Sequence, residues 1–204
     1  MTTAVKTRGQ AQPKAEARGG ENRREALLDA AAAMFVAKGY DGTSIRDIAG
    51  AVGMLPGSLY YHFKSKEDLL LAVYRKGVAR FEAAIAEALG QTTSEPWQAI
   101  EAACTAHLST LLDGGDYARI VNPEFVRSFP PDVLATLNAE RDRYERHFEK
   151  LIAALPLDAE TDRWLFKVAL LGSLNWSQTW YRKGRYSPHD IAAAFIDMLR
   201  QSGV

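Results

Sequence analysis

The residues best suited to chemistry lie between Thr43 and Asp68, in the stretch TSIRDIAGAVGMLPGSLYYHFKSKED. Two short segments with apolar residues at helical spacing meet at Gly53, which is the spacing of a helix-turn-helix. Such a motif presents its second helix to the major groove of DNA. The exposed side of that helix is expected to carry groups that donate to phosphate oxygens or reach base edges. These candidates are Pro56, Gly57, Ser58, Tyr60, Tyr61 and His62, with Lys64 and Lys66 just after them.

Several of these candidates also have a purely structural interpretation. Tyr60 and Tyr61 are adjacent and therefore face different directions on a helix, so at least one of them is expected to pack inside the protein. His62 has the alternative role of a histidine that satisfies the end of a helix. Arg46 has the alternative of a solvated charge, or of a partner for Asp47 or Glu25.

Helix signals around the motif define a three-helix unit. Apolar residues at three- and four-residue spacing predict a first helix from Glu21 to about Lys38, ended by Gly39. Ser44 followed by Asp47 predicts the start of the second helix, and Pro56 is tolerated because it falls in the first turn of the third. Ser65 followed by Asp68 predicts the start of a long helix that runs to about Leu89.

The rest of the chain is also predicted to be helical. Candidate helices span about 95–112, 131–154, 158–183 and 188–201, and no segment shows the alternation of a strand. We therefore predict an all-α fold with an N-terminal helix-turn-helix domain at residues 21–66 and a larger helical bundle at 67–204. Residues 1–20 are predicted to be a disordered basic arm, which either has no role or assists nonspecific phosphate binding.

Composition limits the class of protein. The 204 residues include 25 basic and 25 acidic side chains, yet residues 1–76 carry a net charge of +4 and the remainder −4. A basic first third favours a nucleic-acid-facing end. Cys104 is the single cysteine, which excludes an intrachain disulfide. No apolar run reaches the length of a membrane span and no signal peptide is recognisable, so a cytoplasmic location is expected.

The motif resembles the DNA-binding domain of the TetR family of transcriptional repressors. The resemblance rests on Phe35-x-x-x-Gly39-Tyr40, on TSIRDIA at 43–49, on Gly53 and on LYYHF-x-x-K-x-x-L at 59–69. It implies a homodimer of two-domain helical subunits that binds operator DNA and a small effector. By position, it places DNA-contact roles on Ser44, Arg46, Pro56, Gly57, Ser58, Tyr60, Tyr61, His62 and Lys66. Leu55 and Pro56 depart from the polar residues common at that turn, and apolar contact with a thymine methyl group is one possibility.

An effector pocket is expected between helices of the second domain. Such pockets are mostly apolar with a few polar groups. The candidates are Trp97, Cys104, His107, Leu108, Phe125, Phe129, Tyr144, Phe148, Phe166, Asn175 and Trp176. Most of them have the alternative of plain core residues, His107 included. Their aromatic character favours a long or flat apolar ligand.

The apolar final two helices are expected to form the dimer interface, because the helix near Leu170 is apolar almost all round and must be covered on every side.

The stretch NWSQTWYR at 175–182 loosely resembles a TetR subgroup, some members of which respond to acyl-CoA thioesters. Candidate cations for the phosphates of such a ligand are Arg141, Arg143 and Arg146, together with Arg182 and Arg185 near the end of the long helix. Arg143 and Arg146 lie on one helix face and have the alternative of surface partners of Glu145 and Glu149.

Other classes of protein fit the sequence less well. No hydrolase, metalloprotease, dinucleotide or P-loop motif occurs, so we expect neither an enzyme nor a cofactor. The four histidines show no paired spacing for a metal. A nucleoid-like DNA binder without an effector would leave the aromatic second half unexplained. The favoured function is a transcriptional repressor released from its operator by a small apolar or acyl-CoA-type effector.

Overall fold

A computed structural model describes residues 13–91, 95–126, 129 and 131–201, without the side chains of 13–19 and 132. Within these ranges the chain forms helices and no strand, which confirms the predicted all-α class. The helices are α1 Pro13–Lys38, α2 Ile45–Ala51, α3 Pro56–His62, α4 Lys66–Gly90, α5 Pro96–Asp113, α6 Gly115–Val121, α7 Pro123–Val126, α8 Pro131–Ala153, α9 Arg163–Trp180 and α10 Pro188–Gln201. None of these helices is both long and apolar enough to span a membrane.

The first helix begins earlier than the sequence predicts. Residues 13–20, predicted as part of a disordered arm, form the first turns of α1. Pro13 is compatible with a first turn, and the KAEAR segment that follows consists of good helix formers. Residues 1–12 of the predicted arm lie outside the described residues.

The predicted helix starts at Ser44 and Ser65 are confirmed. The Ser44 hydroxyl accepts a hydrogen bond from the backbone N–H of Asp47, and the Asp47 carboxylate accepts one from the backbone N–H of Ser44. Ser65 accepts from the N–H of Asp68 in the same way. These caps satisfy N–H groups that a helix leaves without partners, and so they fix where α2 and α4 begin.

The short helices α6 and α7 are absent from the sequence prediction. This segment contains Gly114, Gly115 and Pro123, residues that are typical of a loop between helices. Gly115 adopts a φ of +59°, as a loop glycine can. Burial nevertheless holds the seven residues of α6, because Tyr117, Ala118 and Ile120 pack into the core. Tertiary packing thus overrides a weak local propensity.

Helix α4 joins the two parts of the molecule. It contacts α1 of the first part and α5, α6 and α8 of the second, and it buries Leu69 and Leu70 near its start and Phe81 and Ile85 further along. Helix α6 contacts both α1 and α4. The Tyr117 hydroxyl donates to the Asp29 carboxylate over 2.7 Å, so a buried ring of α6 is tied to α1.

Helix α9 is covered on one side only within a single chain. Phe166, Leu170 and Leu174 face the core, together with Ser177. The opposite face exposes large apolar side chains, namely Trp164, Leu165, Val168, Trp176 and Trp180. A single subunit therefore does not cover α9 on every side, as the sequence prediction required.

Candidate nucleic-acid interface and effector cavity

A tight turn fixes the angle between α2 and α3. Gly53 has a φ of +67°, a conformation that favours glycine, and the N–H of Met54 donates to the Ala49 carbonyl over 2.8 Å. Ile48 and Ala49 of α2 and Leu59 of α3 are fully buried. One face of α3 is therefore anchored, and the rest of this seven-residue helix faces outward.

The predicted DNA-contact residues largely lie on this outward surface. Tyr60 and Tyr61 are 54% and 88% exposed, so neither packs inside, contrary to the expectation for at least one of them. Ser44 is exposed, but its hydroxyl is engaged with Asp47 in the helix cap. Arg46, Gly57 and Ser58 are also exposed, whereas Pro56 and His62 are half-buried. Ser58, Tyr61 and His62 line one common cleft, and Lys66 contacts the turn before α2.

Lys66 is already engaged within the protein. Its ammonium donates to the carbonyls of Tyr40 and Thr43 over 2.9 and 3.2 Å and lies 3.9 Å from the centre of the Tyr40 ring. The Tyr40 hydroxyl donates in turn to Glu67. An ammonium has three protons, so one remains for a further acceptor. Contact of Lys66 with DNA stays a prediction, whereas its hold on the turn before α2 is observed.

An open cleft of about 850 Å³ separates the start of α1 from α3. Its lining combines the apolar Val52, Met54 and Leu55 with Ser58, Tyr61 and His62, and Arg23 faces it from α1. Sequence reasoning missed Arg23 because this residue lies on the first helix, twenty positions before the motif. Its three-residue spacing from Ala26, which also lines the cleft, is the signal that places it on that side.

The second candidate site is an aromatic cluster inside the bundle. His107 is 3% exposed, and its Nδ1 lies 2.7 Å from the Tyr144 hydroxyl. The rings of Phe81, Tyr144 and Phe148 surround it at centroid distances of 5.2 to 6.0 Å. Burial lowers the pKa of His107 to about 4, although the neighbouring Asn175 amide opposes the shift. The ring is therefore neutral at pH 7.

His107 Nε2 is buried, and it makes no hydrogen bond of good geometry among the described residues, although the Asn175 amide is a polar neighbour of the ring. It borders a small internal cavity of about 30 Å³, lined by Phe81, Leu111, Tyr144, Leu171 and Asn175 among others. Burial also raises the pKa of Tyr144 well above its usual value, so this hydroxyl keeps its proton. A buried polar atom that lacks a partner is costly and indicates a position that a ligand could satisfy.

An outer cleft of about 480 Å³ adjoins the internal cavity. Asn122, Pro123 and Asn175 line both spaces and form the boundary between them. Gln178 braces this boundary, since its amide accepts from Asn122 over 2.6 Å and donates to the Leu111 carbonyl over 3.1 Å. Arg119, Phe125 and Trp176 line the outer cleft.

The eleven predicted pocket residues fall into four groups, and Asn175 belongs to two of them. His107, Tyr144 and Asn175 line the internal cavity, and Phe125, Asn175 and Trp176 line the outer cleft. Cys104, Leu108, Phe148 and Phe166 are fully buried core residues. Trp97 and Phe129 lie elsewhere: Arg200 stacks 5.3 Å from the Trp97 ring, and Phe129 packs edge-on against Tyr40 of the first domain. Arg119, Asn122 and Gln178 were missed, because α6, α7 and the cleft beside them were not predicted.

Arg141 and Arg143, two of the arginines considered for ligand phosphates, form ion pairs on α8. Arg143 lies 3.1 Å from Glu140 and 3.8 Å from Glu82, and Arg141 lies 3.4 Å from Glu145. Arg143 is therefore ion-paired, but with Glu140 and Glu82 instead of the predicted Glu145 and Glu149. No group of three acidic, histidine or cysteine side chains suited to a metal occurs among the residues the structure describes.

Comparison with known proteins identifies the class. Residues 27–73 match the bacterial regulatory proteins of the tetR family, and residues 93–202 match the tetracyclin repressor-like C-terminal domain. The second match alone covers more than half of the chain, so this protein belongs to the TetR family. It is thus a DNA-binding transcriptional regulator.

Individual relatives add detail. The transcriptional repressor KstR2 of Mycolicibacterium smegmatis is 52% identical over 54 residues, which is 26% of each chain. The matched segment therefore spans about a quarter of that curated relative. The regulator PfmR of Thermus thermophilus has a TM-score of 0.67 and 27% identity over 86% of this chain and 97% of its own. AibR, crystallised with isovaleryl coenzyme A and operator DNA, shares the fold with a TM-score of 0.71, 24% identity and the same coverage.

Proposed function

We propose that this protein is a homodimeric repressor that leaves its operator when a small effector enters the bundle. The observation that carries the proposal is the unbroken helix α4. Its first residue, Lys66, holds the turn before α2, and Phe81, about four turns further along, lines the internal cavity beside His107. A displacement of α4 by a ligand would therefore also move the helix-turn-helix.

The proposed DNA interface is the outward side of α3. Pro56, Gly57, Ser58, Tyr60, Tyr61 and His62 would enter the major groove, while Ser44, Arg46 and Lys66 would contact the flanking backbone. The exposure of both tyrosines supports this orientation, since large aromatic side chains gain nothing by facing water. Two such helices in a dimer would read half-sites about 34–36 Å apart.

The proposed effector combines an apolar body with a carbonyl group. In the tautomer in which the Tyr144 hydroxyl donates to Nδ1, His107 carries its proton on Nε2, beside the Asn175 amide, and would donate it to a carbonyl oxygen of the effector. The cavity beside it is too small for more than a water molecule, so the boundary at Asn122 and Asn175 would have to open toward the outer cleft. Arg119 in that cleft could then meet a phosphate of an acyl-CoA.

A homodimer is proposed on the exposed apolar face of α9, with α10 beside it. Exposed tryptophans in such number are unusual for an isolated subunit, and a second copy would cover them. To act, the effector must bind the released arrangement of this dimer better than the DNA-bound one, because equal affinity shifts no equilibrium. Since operator DNA is the partner, the protein would act in the cytoplasm, and we expect no enzymatic activity.

The test is a gel-shift titration of a selected operator with acyl-CoAs, the matching free acids and small planar aromatics. If acyl-CoAs release the operator at concentrations at which the matching free acids do not, the effector is an acyl-CoA thioester. Replacement His107→Phe should then raise the concentration needed, whereas Tyr186→Phe, on the exposed α9–α10 connection, should not. Release only by small aromatics would contradict the acyl-CoA but keep the repressor. If none of the compounds releases the operator, and crystals grown with them show nothing bound beside His107, effector control from this cavity is contradicted.

A further inference from the structure

We propose that Leu55 is a specificity-determining residue that recognises the C5 methyl group of a thymine in the operator. This inference rests on the proposed entry of α3 into the major groove and goes beyond it, because it names one base feature that this chain would read. The argument combines the position of Leu55, its exposure and the chemistry of its neighbours.

Leu55 is an unfavourable residue for the position it occupies. It is the N-cap of α3, where serine, threonine, aspartate or asparagine would accept a hydrogen bond from the helix, and leucine provides none. The capping residues of α2 and α4 are both serines that do so, at Ser44 and Ser65. The helix that faces DNA therefore lacks the cap that its two neighbours possess.

Leu55 also gains no packing in the free protein. Its side chain is 77% exposed, more than any other large aliphatic residue recorded in the described part of the chain. It stands at the rim of the cleft between α1 and α3, with Met54 behind it and Ser58 one turn along. Leu55 therefore adds little to capping or to core packing, and its side chain is available to a partner.

The neighbouring side chains limit what that partner can be. Helix α3 contains no arginine, lysine, asparagine, glutamine or carboxylate, as its sequence PGSLYYH shows. It therefore lacks the groups that make bidentate hydrogen bonds to guanine or adenine. The feature of a major-groove edge that an aliphatic side chain recognises is the methyl group of thymine. Position at the leading end of α3 suits that contact, because residues near the start of a recognition helix reach the base edges.

The experiment compares thymine with deoxyuridine, which lacks only the methyl group. A duplex is first selected by the full-length protein from a random library, and each thymine of the selected site is then replaced singly by deoxyuridine. We expect one symmetry-related thymine position at which the wild type binds about fourfold more weakly per half-site after replacement, the effect of exposing one buried methyl group.

The variant Leu55→Ser tests the residue. Serine is a preferred N-cap, so α3 should be at least as stable in this variant as in the wild type, and unfolding is not a confounding outcome. Its affinity at the sensitive position should be the same for thymine and deoxyuridine. The matched variant Tyr186→Ser, on an exposed connection of the other domain, should retain the wild-type fourfold ratio.

Two outcomes would overturn the proposal in different ways. If the wild type binds a selected duplex but no thymine is sensitive to loss of its methyl group, or if Leu55→Ser retains the ratio, the assignment of Leu55 is wrong while operator binding stands. If the protein selects no duplex at all, the proposed operator binding fails and this assignment fails with it.

Discussion

At the scale of single residues, side chains near one another carry different tasks. Tyr61 is 88% exposed, and its ring contacts the His62 ring edge-on. We therefore expect Tyr61 to contribute little to the stability of the free protein. Lys66, five positions later, supports the turn before α2 through two carbonyls. The sequence predicts DNA contact for both residues. The structure indicates that replacing Tyr61 should affect DNA binding, whereas replacing Lys66 should also affect the stability of the protein.

Replacement of each by alanine should separate these tasks. Tyr61→Ala should weaken operator binding at least tenfold and leave the melting temperature unchanged, because an exposed ring contributes little to folding. Lys66→Ala should lower the free energy of unfolding by about 1–3 kcal/mol, since it removes two hydrogen bonds from a charged donor. Thermal unfolding and gel shifts on both variants would check this. Equal melting temperatures for the two variants would contradict the role assigned to Lys66.

The buried histidine should make stability depend on pH. The pKa of His107 falls from an ordinary value near 6.5 to about 4 on folding, so between these values the unfolded chain binds more protons than the native one. Stability is therefore complete above about pH 6.5 and is lost as the pH falls. Between pH 7.5 and pH 5 the loss from this group should approach roughly 2 kcal/mol, measurable by urea unfolding.

The comparison needs two variants. His107→Gln removes the titrating ring and should reduce the difference between the two pH values. Phe148→Leu removes packing from the same cluster without removing a titrating group, so it should lower stability equally at both. A pH difference that is the same in His107→Gln as in the wild type would show that His107 is not the group responsible.

At the scale of elements, α1, α4 and α6 meet where the two domains join. The Tyr117 hydroxyl and the Lys76 ammonium both bind Asp29, at 2.7 and 3.0 Å, and Lys76 also pairs with Glu25. Gly77 lies in α4 at this junction. A Cβ atom added to it would lie 2.6 Å from Cγ2 of Val121 and 3.2 Å from the Tyr117 carbonyl oxygen. A glycine is therefore required here by the close approach of α6.

Two opposing effects decide what alanine does at Gly77. Alanine favours a helix over glycine by about 1 kcal/mol, but the crowding against α6 costs about 1–3 kcal/mol, and we expect the crowding to prevail. Gly77→Ala should therefore lower the midpoint of urea unfolding. Gly50→Ala, in α2 with open space around the added atom, should leave it unchanged or raise it. A stabilised Gly77→Ala protein would show that α4 and α6 separate readily at this point.

The elements also show where sequence reasoning reaches its limit. The caps at Ser44 and Ser65 and the turn at Gly53 could be predicted, because each depends on residues within three or four positions. Helix α6 could not, because it is held by Tyr117 and Ile120 packing against helices distant in sequence. The outer cleft depends on α6 and α7, so Arg119 and Asn122 were missed with them. Trp97 and Phe129 lie outside both cavities, because apolar character alone does not distinguish a cavity wall from a ring that contacts Arg200 of α10 or Tyr40 of the first domain.

At the scale of the whole molecule, the apolar surface is concentrated on one side of the second domain. Trp164, Leu165, Val168 and Trp176 share the outward face of α9, and Met198 of α10 is 57% exposed. Gly172 lies within the same face, and an added Cβ atom would meet nothing within 4 Å. A flat apolar surface with a glycine at its centre permits close approach of a second helix. Two subunits joined here would also give the paired recognition helices that a symmetric operator requires.

Introducing a charge into this face should separate the subunits. Wild-type protein should have twice the 22.5 kDa subunit mass in light scattering at micromolar concentration. Val168→Glu should reduce the mass to that of one subunit, because a buried unpaired carboxylate costs several kcal/mol, and operator binding should fall with it. The matched change Ala83→Glu, on the exposed side of α4, should leave both mass and binding unaltered. A wild-type protein that scatters as a single soluble subunit would rule out the dimer, and a dimeric Val168→Glu protein would place the interface on another face.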